Sequence, residues 1–231
     1  MKKIKWTMAL IALFLFRGFN LGFCQDLSFD FDMGGTTKYL WRGQKLYDKY
    51  CTQPSLNINL KNFTFNYWAS FPFEKNGYME SDFTFIAFDT MPYIEIIHLN
   101  GGSIIYTFPN NSEETNNSLE IFGGISVDIF LAPYMTLYYD AVLGNGYFLE
   151  GGISYNIIKL NSFASNLYVS TGYNFNQFGY SPSFTTLLLT PEFIYSFLFF
   201  DVALSSNIQL SLNDQYNNDY SINFGIKYTY K

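Results

Sequence analysis

The stretch KYLWRGQKLYD, residues 38–48, sets an arginine between an aromatic run and a glycine. The guanidinium of Arg42 carries a rigid fork of donors that matches a carboxylate. Acids able to answer it are Glu80, Asp82, Glu120 and Glu150, and Lys38 is a second cation close by. Two chemistries fit such a set. One is an ion network that ties separate segments together, since a charge withdrawn from water needs a partner. The other is a charged constriction that touches a passing solute. Catalysis by paired carboxylates would also need a substrate cleft.

The other reactive groups are sparse. His98, the only histidine, would have to serve any Ser-His-Asp machinery. In IEIIHLNGG it reads as an ordinary strand residue ahead of an expected Gly101-Gly102 bulge, which leaves its face open. No Cys/His cluster has zinc spacing, and NNSEET lacks the ligand spacing of a calcium loop. Gly123-Gly124 and Gly151-Gly152 fall inside strand-like segments, so they read as room for packing, not as phosphate cradles. No metal, cofactor or catalytic residue is expected.

What must position the charged groups is a set of strands. Of 231 residues, 26 are Phe and 20 are Tyr, yet mean hydropathy is only +0.02, so apolar residues alternate with polar ones. The start, MKKIKWTMALIALFLF, has a basic head and a short apolar run, which reads as a signal peptide over 1–24, with the mature chain at 25–231. Past residue 24 the basic residues fall from 13 to nine against 19 acids, a net charge of about −10, which argues against nucleic acid as a partner. Cys51 is then the only cysteine; it falls in an expected loop as an incidental thiol.

Period-two alternation marks half-buried strands. In FTFNYWASF, Phe63, Phe65, Tyr67, Ala69 and Phe71 oppose Thr64, Asn66, Trp68 and Ser70. Across the chain about twelve strands are expected, near 27–42, 54–60, 63–71, 78–89, 93–108, 118–129, 134–143, 147–156, 164–174, 184–195, 199–208 and 219–230. The boundaries in 184–210 are the least defined, because FIYSFLFFDVAL is almost continuously apolar. Connections alternate between long polar segments, such as 43–53, 110–118 and 209–219, and tight turns such as Lys61-Asn62. That asymmetry, with strands of nine to eleven residues, fits an all-β, antiparallel, up-and-down transmembrane barrel in a bacterial outer membrane. Its partner is then outer-membrane lipid. A soluble sandwich or lipocalin-like barrel would invert the two faces.

Parity along the first strand assigns Phe29, Phe31, Met33, Tyr39 and Trp41 to lipid, with Tyr39 and Trp41 in the outer aromatic girdle. Asp30, Asp32, Lys38 and Arg42 then face the lumen, unless Gly34-Gly35 hides a bulge. Strands running back inward bring Glu80, Asp82, Glu120 and Glu150 to the same outer layer. Asp128, Glu192 and Asp201 read as solvated lumen residues nearer the other end.

KYLWRGQ followed by QPSLNINLKNFTFNYWAS resembles the start of Gcw_chp-type uncharacterised bacterial outer-membrane barrels. The resemblance continues through Glu80-Ser81-Asp82-Phe83, Ile105-Tyr106-Thr107-Phe108-Pro109 and Leu119-Glu120-Ile121. It implies a barrel and an outer-membrane location, and no particular activity. Twelve strands suit either a narrow channel for small solutes or a lumen plugged by its own side chains. The expected function is therefore a narrow channel or a non-conducting structural or surface-interaction barrel, and not an enzyme.

Overall fold

In a computed structural model of the chain, residues 27–75, 77–91, 93–109 and 117–230 are described. The expected signal peptide, and most of the 110–118 loop, lie outside them. Fourteen strands follow in chain order: β1 Leu27–Thr36, β2 Tyr39–Trp41, β3 Gln44–Tyr47, β4 Cys51–Leu60, β5 Phe63–Pro72, β6 Glu80–Thr90, β7 Ile97–Thr107, β8 Asn117–Val127, β9 Tyr134–Asp140, β10 Gly146–Lys159, β11 Phe163–Phe175, β12 Ser183–Ser196, β13 Asp201–Ser211 and β14 Asp219–Tyr230.

Twelve of these form one closed antiparallel barrel, in which each strand pairs with its neighbours in sequence and β1 closes the wall against β14. Closure leaves no free edge, so every wall amide finds a partner without water. The remaining two, β2 and β3, pair only with each other.

The alternation decides which face is which. Phe31, Met33, Phe83, Ile121, Leu137 and Phe224 stand exposed on the outer surface. Ser70, Glu120, Asp140, Asn174 and Ser221 point inward and are fully or almost fully buried. A continuous apolar outer belt around a polar interior is stable only in lipid. The fold is a transmembrane barrel, and the soluble alternative falls.

The register is regular where bulges were expected. Gly34 sits opposite Gly225 and Gln53 with no slip, and Gly101 and Gly102 hold register on both sides. The irregularities lie instead at Asn156/Ile158 and Thr171/Tyr173. Cys51 is the first residue of β4, not a loop residue, and is 1% exposed. The largest departure concerns 37–50. The barrel strand ends at Thr36, and the chain re-pairs as a hairpin.

Candidate functional site

The hairpin of β2 and β3 folds into the outer part of the lumen. Leu40 pairs with Lys45 and Trp41 with Gln44, so Arg42 and Gly43 form the two-residue tip. Both have positive φ, 48° and 84°, as the tight turns favoured by right-twisted strands require. Glycine takes this conformation freely, whereas an arginine pays about 1 kcal/mol for it. A Cβ on Gly43 would also lie 2.9 Å from Tyr216 Cδ1 and 3.0 Å from Thr185 Cβ, so the tip has no room for a larger residue.

Arg42 recovers the cost through its fork. Its two terminal nitrogens donate to both oxygens of Glu120 at 2.6 and 2.8 Å. Gln177, in the short 3-10 turn Gln177–Gly179, accepts from Arg42 at 3.1 Å and donates to Glu120 at 3.0 Å. Tyr106 donates its hydroxyl to Glu120 at 2.9 Å. Trp41, Tyr138 and Phe148 present rings to the guanidinium at 4.6, 4.1 and 4.7 Å. Glu120 is fully buried and the arginine side chain is 7% exposed. A bidentate ion pair with further hydrogen bonds is the arrangement that offsets the cost of removing both charges from water. Across the bore, Gln209 donates to the Gly43 carbonyl at 2.8 Å. The tip therefore touches β8, β12 and β13, and spans the lumen.

The foot of the hairpin is pinned by a second set of charges. Lys38 lies 2.5 Å from Asp219 and 3.7 Å from Asp48, and Lys45 lies 3.2 and 3.0 Å from the same two acids. Hydrogen bonding to the Asp219 carboxylate raises the pKa of Lys38 above the ordinary lysine value. The Thr37 N–H donates to the Ile222 carbonyl and the Ile222 N–H to the Thr37 hydroxyl, both at 3.0 Å, which fixes the same corner.

Of the residues expected to share a charge layer, the structure joins only Arg42 and Glu120. Lys38 turns to Asp219 and Asp48 at the mouth. Glu150 accepts from Tyr134 at 2.7 Å. Glu80 and Asp82 line the wall beside Tyr39 and form no ion pair among the described residues.

Tyr39 and Trp41 do not face lipid. Tyr39 is 8% exposed and packs its ring against Trp68 and Tyr78 at 5.4 and 6.3 Å. Trp41 meets Tyr106 and Phe178 edge-on at 6.1 and 5.7 Å. Parity holds only along a continuous strand, and this one ends at Thr36. The lipid-facing aromatics near the rims are instead Tyr139 and Tyr147 at one end and Tyr195, Tyr228 and Tyr230 at the other.

His98 lies at the opposite end of the wall from the fork, against Thr90 Oγ1 at 3.2 Å. Sequence reasoning missed Gln177, Tyr138, Phe148, Gln209 and Tyr216. The first sits in a segment that reads as an external loop, and nothing in its local pattern turns it inward. Tyr216, in the expected outer loop 209–219, is 4% exposed and stacks on Tyr180 at 5.1 Å, so that loop folds over the hairpin tip.

Cavities of different sizes follow from this arrangement. One of about 590 Å³ lies on the outer rim beside the foot of the hairpin, between Lys38, Lys49, Phe73 and Tyr220. A small one of about 80 Å³ lies at the tip, between Arg42, Phe148, Thr186 and Gln209. A chamber of about 320 Å³ lies on the far side, lined by Asp32, Asn57, Trp68, Glu192, Asn223 and Lys227.

The same architecture recurs in solved outer-membrane barrels. The KdgM porin in complex with disordered oligogalacturonate superposes with a TM-score of 0.57 at 10% identity, covering 88% of this chain and 99% of that one. An outer-membrane channel from Pseudomonas putida F1 gives 0.55 at 6% identity, over 90% and 97% of the two chains. The NanC porin gives 0.55 at 10% identity, over 87% and 99%. No family model and no curated protein sequence matches the chain. At these identities the likeness is one of fold: a porin-like barrel of the bacterial outer membrane.

Proposed function

We propose that the protein is a narrow outer-membrane channel for small solutes, throttled at its outer end by the 37–50 hairpin. The observation that carries this reading is a polar chamber of about 320 Å³ inside the lumen, with one thin element, held at its tip and foot, lying across the bore on its outer side. A wall that served only as a brace would have no need of a polar chamber behind the plug. Polyanionic solutes such as oligogalacturonate are not carried over from the KdgM porin, because the chamber here has Asp32 and Glu192 facing it against Lys227 alone.

The finer assignments belong to the same reading. Residues 1–24 would direct export, leaving 25–231 as the barrel. The motifs around Arg42, Trp68, Asp82, Tyr106 and Glu120 would place the chain beside the Gcw_chp-type barrels, and the protein would act without catalysis.

The test is single-channel recording in planar bilayers, on the native protein and on a variant with residues 39–47 replaced by a short Gly-Ser link. Heat-modifiable gel migration would check that both fold. The native protein should show small or rare openings and the variant a larger, steadier conductance. A folded variant that carries no current would sink the proposal and favour a non-conducting barrel.

A further inference from the structure

We infer that the lumen passes small cations in preference to anions, an inference that rests on the channel reading. The argument is the placement of charges that lack a counter-charge. Among the described residues Lys227 is the only cation lining the inner chamber, and it lies 3.6 Å from Asp30 at the exit. Asp32 and Glu192 face the same chamber. Asp32 shares Lys227, its cross-strand neighbour, with Asp30, and among the described residues Glu192 receives only neutral donors, from Asn166 at 3.0 Å and Tyr168 at 3.2 Å.

The outer layer repeats the imbalance. Arg42 is engaged on both oxygens of Glu120, and among the described residues no cation pairs with Glu80, Asp82, Asp140 or Glu150. One oxygen each of Glu80, Asp82 and Asp140 is buried without a hydrogen-bond donor. A carboxylate oxygen in that state is satisfied by a cation or a proton. At the mouth, Lys38 and Lys45 are matched by Asp48 and Asp219, and Lys49 by Glu74, so the lysines there give no compensating positive field. From mouth to exit, an anion meets no unpaired cation among these groups.

The size of the effect follows from Coulomb's law. In water, a unit charge about 7 Å from a passing monovalent ion changes its energy by about one RT. Cations are enriched and anions depleted by about 2.7-fold each, which gives a permeability ratio of roughly seven per uncompensated charge. Salt lowers it, because the screening length at physiological ionic strength is about 8 Å.

The deciding experiment is the reversal potential in planar bilayers under a KCl gradient, for the native protein and for the variant lacking 39–47. Potassium should be preferred by about sevenfold or more at low salt, with the preference falling as salt rises. The double variant Asp32→Asn/Glu192→Gln should lower the preference measurably, leaving the part set by the outer acids, while still migrating as a folded barrel. A chloride preference, or none in either parent protein, overturns the inference and leaves the channel reading standing. An unchanged ratio in the double variant overturns the assignment to this chamber. Absence of current in both parent proteins overturns the channel reading and this inference with it.

Discussion

The outer and inner parts of the lumen are lined by the same kind of wall but filled in opposite ways. In the outer part, Glu120, Phe148, Asn174 and Gln177 are at most 2% exposed, and the hairpin occupies the space between them. In the inner part, the facing residues are shorter, among them Ser55, Asn57, Ser205 and Asn223, and a chamber of about 320 Å³ remains. A ring of twelve strands encloses more volume than its own side chains fill, unlike the smallest eight-stranded barrels. Closing such a bore takes an imported segment, and the segment needs anchors of its own. Here those are a buried charge fork at the tip and a half-exposed charge cluster at the foot.

That contrast can be broken most directly at Glu120. Glu120→Ala would leave the guanidinium of Arg42 buried without its carboxylate, a loss of about 3–5 kcal/mol. The expected outcome is an undocked hairpin in an intact wall. Cys51, buried at the foot of the hairpin, should then react with a thiol reagent that spares the native protein, while heat-modifiable migration is retained. Continued protection of Cys51 would show that the fork does not hold the plug.

Gly43→Ala should act in the same direction with a smaller effect. It forces a side chain into the left-handed region and against Tyr216 and Thr185, at a cost of about 1–2 kcal/mol. Cys51 labelling should be intermediate between native and Glu120→Ala.

At the foot, Asp219→Asn removes the shared partner of Lys38 and Lys45. Ion pairs of solvated lysines are weak, and salt screens them. Channel noise should rise modestly at low salt and match the native protein at high salt. The same pairs set a pH dependence. Because the folded pKa of Lys38 is raised, its contribution is fully present below the ordinary lysine value. It fades only as pH rises through the elevated one. Noise should therefore stay flat across neutral pH and increase under strongly alkaline conditions, and again in strong acid once the Asp219 carboxylate, held below its ordinary range, is protonated.

The smallest effect belongs to the inner wall. Ser205→Ala removes one acceptor facing the open chamber and should change stability by no more than about 0.5 kcal/mol. Thermal melting of the folded band would check this. A large loss there would mean that the chamber is a packed core and not a solvated space.

Much of the wall could be read in the sequence because each strand carries its own record of two faces. Phe63 to Phe71 and Ile222 to Tyr230 alternate without a break, and the structure orients them accordingly. The apolar run at 184–210 was ambiguous for the same reason, since polar markers thin out around Ile194–Phe200; its strands run Ser183–Ser196 and Asp201–Ser211. Parity failed at Tyr39 and Trp41 because alternation has no memory of where a strand stops. The signal for the stop was present in Arg42-Gly43, a pair that suits a tight hairpin turn. The same pair also suits a strand end, because the polar residues that follow it fit an external loop.

By itself the sequence determined a closed, membrane-facing wall of about twelve strands and an acidic interior. Both are local properties, repeated residue by residue and set by which side of each strand is apolar. Only the tertiary structure decided that residues 37–50 turn inward, and that Arg42 selects Glu120 from four available acids. It also brought Gln177, 135 residues away in sequence, to complete the site. Those choices depend on which strand ends converge across the bore and on where a charge can be buried with every donor satisfied, and no periodicity encodes either.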